Sequence, residues 1–132
     1  MHPVVRVFYL GVLTVAACTP PPLSCARLGG APMLEYQLFF GRSAVTDQDW
    51  TEFTAQVVTP HLPDGFTAFD ADGQWMNPAT HRISKERSKV IVVALPDAPA
   101  GDAAITAIKD AYRAQFHQQS VGTTVHPVCG SF

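Results

Sequence analysis

The chain has 132 residues, 15% of them charged, and a formal net charge of -2, with a pI near 6.2. That length accommodates one domain with a real core, and the charge balance excludes a phosphate-tracking surface, so nucleic acid is not an expected partner. Four of the nine Lys and Arg fall in one stretch, Arg82, Lys85, Arg87 and Lys89; Glu86 interrupts it and no aromatic platform accompanies it, which reads as a solvated loop.

Met1 to Arg6 carries one fixed positive charge, and Val7 to Ala17 is an uncharged, mostly apolar run of eleven residues. This is the grammar of a signal segment over residues 1–17. A spanning helix needs about 20 apolar residues, so the run is too short for a permanent transmembrane anchor. It closes on Val15-Ala16-Ala17-Cys18, which resembles the lipobox of bacterial lipoproteins, where small residues fit the peptidase and the Cys thiol takes a thioether-linked diacylglycerol. The same small residues also permit ordinary cleavage after Ala17. The expectation is lipidation at Cys18, placing the domain at the periplasmic face of a bacterial membrane. The cysteine count agrees: of Cys18, Cys25 and Cys129, a lipidated Cys18 leaves two for a bridge in an oxidising compartment. In the other reading Cys25 stays reduced in a mobile tether.

Residues 18–32, with Thr19-Pro20-Pro21-Pro22 and Gly29-Gly30-Ala31-Pro32, cannot build a core and read as a tether, so the expected folded domain is 33–132. Leu34 to Phe40 alternates, with Leu34, Tyr36, Leu38 and Phe40 on one face of a strand and Glu35, Gln37 and Phe39 on the other. Thr46 followed by Asp49 is a helix start, with Trp50, Phe53, Val57 and Val58 at helical spacing and Pro60 and Pro63 as terminators. Phe66 to Phe69 reads as a short strand ending at an Asp72-Gly73 turn, with Gln74 and Trp75 starting a second arm and residues 76–87 a loop. Ser88 to Leu95 is a strand apolar on both faces, hence central and covered on both sides. Asp102 can cap a helix carrying Ile105, Ile108, Tyr112 and Phe116 on one stripe. Val121 to Val128 is a strand whose Pro127 belongs at an edge.

The order strand, helix, strand, strand, helix, strand predicts an α+β, ferredoxin-like sandwich, a four-stranded antiparallel sheet with two helices on one face. The opposite face keeps Phe39 and part of the Val90 to Leu95 run. That apolar surface asks for a cover, either a second copy packed sheet to sheet or the 76–87 loop.

Tyr36-x-Leu38-Phe39-Phe40-Gly41, Trp50-x-x-Phe53, Thr59-Pro60-x-x-Pro63-Asp64-Gly65-Phe66-Thr67, Gly73-Gln74-Trp75, Glu86-x-Ser88-Lys89-Val90 and Tyr112-x-x-x-Phe116-x-Gln118-x-Ser120-Val121 together resemble one family, domain of unknown function 3574 (DUF3574). The resemblance spans about residues 35 to 125. It implies small exported bacterial proteins, often with lipoprotein leaders, and carries no assigned chemistry.

No metal site or cofactor is implied: His61, His81, His117 and His126 lack paired ligand spacing, and phosphate-loop, nucleophile-elbow and Cys-x-x-Cys motifs are absent. The residues with most chemistry are Arg42, Trp75, His81, Arg82, Glu86 and Lys89, with Tyr36 as a polar handle. Functionally, Arg42, Arg82 and Lys89 would bind an anionic group, Trp75 would stack, and Glu86 or His81 would act as acid or base. Structurally, Trp75 would be a core or dimer anchor, Glu86 an arginine's ion-pair partner and Tyr36 a core residue. Two functions follow: a small-ligand or partner-binding envelope domain, or a small enzyme with its site between the sheet and the 76–87 loop.

Overall fold

The computed structural model describes residues 25, 26 and 29–132; the signal segment 1–17, Cys18 and most of the tether lie outside the described residues. The elements are β1 (Ala31–Gly41), α1 (Asp47–Phe53), a π-helical turn (Thr54–Val58), α2 (Thr59–His61), β2 (Thr67–Met76), β3 (Ile83–Pro96), α3 (Pro99–Phe116) and β4 (Gly122–Gly130). The four strands form one sheet in the order β2-β3-β1-β4, and every neighbouring pair is antiparallel. Among the described residues no helix is long and apolar enough to cross a membrane.

The alternation of β1 sorts its side chains. Tyr36, Leu38 and Phe40 are buried in one core with Trp50, Phe53 and Val58 from the first helical segment and Ile105, Ile108 and Tyr112 from α3. Phe40 stands edge-on to both, with ring centroids 5.3 Å from Trp50 and 4.8 Å from Tyr112. One strand position thus ties the sheet to two helices. Pro127 in β4 sits on the sheet edge, where its missing N–H costs no ladder bond.

The first helix starts on a complete capping box. The Asp49 amide donates to Thr46 Oγ1, and the Thr46 amide donates to the Asp49 carboxylate. Hydrogen bonds from Thr46 hold the Asp49 carboxyl below its usual range. The helix does not stop at Pro60. Thr54–Val58 widens into a π turn, closed by the Thr59 amide donating to Thr54 O, and Pro60 then lies in the first turn of α2, where no amide is needed. The helix ends at His61, and the Leu62 amide closes it on Val58 O at 2.9 Å. In α3, Asp102 is not the cap. Pro99 sets the first helical φ behind Ala98, so the helix starts earlier and Asp102 falls in its first turn. There it accepts a hydrogen bond from Tyr36 Oη at 2.6 Å.

The expected Asp72-Gly73 turn and 76–87 loop are both corrected. β2 runs straight through Gly73, which pairs with Glu86, and the ladder continues to Met76 opposite Ile83. The turn comes later, where Asn77 accepts from the Ala79 and Thr80 amides through its side chain and from His81 through its carbonyl. His81 takes the left-handed φ of 52° that closes the loop. Polar residues from 83 to 87 disguise a strand, because this stretch lies beyond the last β1 pair, Gly41 with Ser88, and buries no residue fully. The tether boundary also moves: Ala31 and Pro32 belong to β1 and pair with Gly130 and Cys129. Cys25 is disulfide-bonded to Cys129 with Cα atoms 5.2 Å apart, closing a separation of 104 residues.

Burial and the Asp102 acceptor push the Tyr36 hydroxyl up to about 12, and burial does the same to Tyr112. Raised phenols keep their proton in the fold after an unfolded chain has lost it near pH 10, so stability present below that point drains away between 10 and about 12. Melting curves taken from pH about 9 to about 11 should fall, and Tyr36→Phe should flatten part of that fall.

Candidate functional site

β3 carries Ser84-Lys85-Glu86-Arg87-Ser88-Lys89 where it outruns β1. Alternation sends Ser84, Glu86, Ser88 and Val90 to the face of Phe39, and Lys85, Arg87 and Lys89 to the face of the helices. Cross-strand partners on the Phe39 face are Trp75 opposite Ser84, Gly73 opposite Glu86, Ala71 opposite Ser88 and Phe69 opposite Val90. The result is a groove of about 1120 Å³, floored by β3 and walled by Phe39, Phe69 and Trp75. These aromatics are 41%, 49% and 46% exposed. The 117–120 loop and Gly122 close the β4 side, with Phe39 against Gly122.

Glu86 is the half-buried carboxylate of this groove. Ser43 Oγ donates to its Oε2 at 2.5 Å. No Lys, Arg or His among the described residues forms an ion pair with it. Gly41 makes room for it: a Cβ there would stand 2.6 Å from Glu86 Oε1. Gly41→Ala should therefore swing the carboxylate off Ser43 at a stability loss of about 1 kcal/mol. A crystal structure of that variant with the Ser43 bond intact would contradict the assignment.

The six residues singled out in the sequence do not converge. Trp75 and Glu86 share the groove. Arg42 is turned away and 2% exposed; its Nη2 donates to Asp47 Oδ1 at 2.6 Å and to Val45 O at 3.2 Å. Through Nη2 the guanidinium clamps the β1–α1 connection, while Nη1 lies 3.8 Å from Asp70 and the buried Nε has no hydrogen-bond partner among the described residues. The Arg42 hydrogen bond and charge hold the Asp47 carboxyl below its usual range, so this pair stabilises the fold above the ordinary carboxylate pKa and lets go as pH falls through the lowered one. Lys89 pairs with Asp70 at 2.7 Å on the helix side. His81 and Arg82 are exposed on the hairpin turn and do not line the groove. Tyr36 is a core residue bonded to α3.

Ser43, Gly41, Gly73 and Phe69 contribute to the groove and carried no isolated signal in the sequence. The signal was relational: with β2 and β3 paired, glycine stands directly opposite a glutamate whose sequence neighbours are both cations. Among the described residues no group of His, Cys, Asp and Glu is arranged to hold a metal ion.

Known structures offer a fold likeness. A phage SAM lyase in complex with S-methyl-5'-thioadenosine superimposes with a TM-score of 0.55 at 14% identity, over 74% of this chain and 90% of that one. The apo form of a phage SAM lyase gives 0.53 at 13%, over 86% and 91%. Bacillus subtilis GlnK bound to ATP gives 0.49 at 8% identity, over 74% and 82%. At these identities the lyase likeness speaks for the fold alone. No curated protein sequence matches the chain. The family model described as "Protein of unknown function (DUF3574)" matches residues 35–132, most of the chain, and the chain belongs to that family.

Proposed function

We propose that this chain is a ferredoxin-like envelope domain that binds a small ligand on the sheet face opposite its helices. One observation carries the reading: the groove on that face joins three half-exposed aromatic walls to a carboxylate free of any described ion-pair partner. Exposed aromatics that share one groove with an unpaired carboxylate mark a surface with a binding use. The expected leader supports an envelope address, with Cys18 lipidated and the domain held at the periplasmic face. Palmitate label on the chain that is lost in Cys18→Ser is the test of that part.

The binding reading is tested by screening small soluble compounds against the full chain by ¹H–¹⁵N spectroscopy. Shifts should cluster at Phe39, Trp75, Glu86 and Gly122 and vanish in Trp75→Ala. That variant should keep its melting temperature within about 3 °C, because the indole is largely outside the core. Hits scattered over the helix face would overturn the reading.

Two other uses of this face each have an observation in their favour. Sheet-to-sheet dimerisation is favoured by the exposure of Phe39, Phe69 and Trp75 together, and would appear as a doubled mass in solution. Catalysis with Glu86 as acid or base is favoured by its hydroxyl partner Ser43. Its site would lie between the sheet face and the β2–β3 hairpin, and Glu86→Ala would then abolish turnover without unfolding the domain.

A further inference from the structure

We infer that the ligand of this groove is an organic cation with a flat or apolar body, its charged end seated at Glu86. The inference rests on the binding reading above and adds the charge and shape of the ligand.

The ionisable groups of the groove set its charge preference. Its lining includes Glu86, Asp72 and His117, and no Lys or Arg. This exclusion is built into the pleat: the three cations nearest in sequence, Lys85, Arg87 and Lys89, all alternate to the other face, and Lys89 is already neutralised by Asp70. Glu86 is thus half-buried with only a neutral hydroxyl donor recorded on its carboxylate. A partly desolvated carboxylate favours any cation that can reach it. Anions meet like charge and no donor fork.

The chemistry of the walls then selects among cations. A hard metal ion wants six or more oxygen ligands, whereas the Glu86 carboxylate, bonded to Ser43, has the Gly41 backbone beside it and Trp75 diagonal to it on β2. Rings cannot coordinate such an ion. They do attract an alkylammonium, guanidinium or similar onium group through their faces, and they cover the apolar remainder of the molecule. Trp75, opposite Ser84 and so diagonal to Glu86, supplies the ring nearest that carboxylate, while Phe39 and Phe69 flank Val90 farther along the same groove.

The test uses three probes of matched shape, phenethylammonium, 2-phenylethanol and phenylacetate, titrated into the full chain and followed by ¹H–¹⁵N spectra. The indole resonance of Trp75 reports on the groove, and that of buried Trp50 serves as control. The cation should bind about tenfold more tightly than the neutral alcohol, with phenylacetate weakest. Glu86→Gln, which keeps the size and the Ser43 acceptor, should bring cation and alcohol within about twofold. Equal binding of all three at Trp75 would overturn the inference and leave the binding face standing. Absence of any Trp75 response to the three would sink the inference and the binding face together.

Discussion

Removing the Cys25–Cys129 bridge, by reduction or in a Cys25→Ser/Cys129→Ser double variant, should lower the unfolding free energy by about 4 to 5 kcal/mol. The reason lies in the unfolded chain. The bond joins residues 104 apart, so it removes nearly the largest loop-closure entropy this domain offers. In the fold it joins the start of β1 to the end of β4, the two strands that pair from Ala31 with Gly130 to Phe39 with Gly122. Without it the outer β1–β4 pairs are held by their ladder and by partly exposed side chains at the sheet edge. Since small domains have a total stability of about 5 to 15 kcal/mol, the reduced protein should be marginal. Urea titration of oxidised and reduced samples measures this; a difference below about 1 kcal/mol would show that the bridge constrains little.

Phe40→Ala should cost about 3 to 5 kcal/mol. The ring is fully buried and meets Trp50, Phe53 and Tyr112, with centroids 5.3, 6.3 and 4.8 Å away. Its loss therefore opens a cavity bounded by rigid rings on two helical segments, which cannot collapse inward as a flexible aliphatic lining would. Phe39→Ala, one residue away on the groove side, should cost far less, because that ring is 41% exposed. The contrast between neighbours, read by thermal or denaturant unfolding, checks the assignment of the two sheet faces independently of any ligand.

Much of this arrangement was legible in the sequence because apolar periodicity is a local signal. The Leu34–Phe40 alternation, the Thr46/Asp49 capping box and the stripe of Ile105, Ile108 and Tyr112 each report a face that must be buried, and each occupies that face in the fold. The β2–β3 hairpin was not legible. Asp72-Gly73 has the composition of a turn, and residues 83–87 have the composition of a loop, yet both are strand. Overhanging β1, this part of the hairpin buries little and is held by its ladder, a non-local interaction that local composition does not record. The site suffered for the same reason. Arg42 looks in the sequence like a ligand clamp, and the fold turns its Nη2 to Asp47 and the Val45 carbonyl, partners that composition does not reveal. Glu86 gains its isolation only when strand pairing places Gly73 across from it and Gly41 beside it.

The central claim is that the face carrying Phe39, Trp75 and Glu86 is a ligand-binding surface. Native mass spectrometry of the full chain, purified under mild conditions, tests it most directly. The account predicts a chain carrying a small non-covalent adduct that is lost in Trp75→Ala and weakened in Glu86→Gln. A bare chain of unchanged mass in wild type and both variants, or an adduct indifferent to both substitutions, would contradict it.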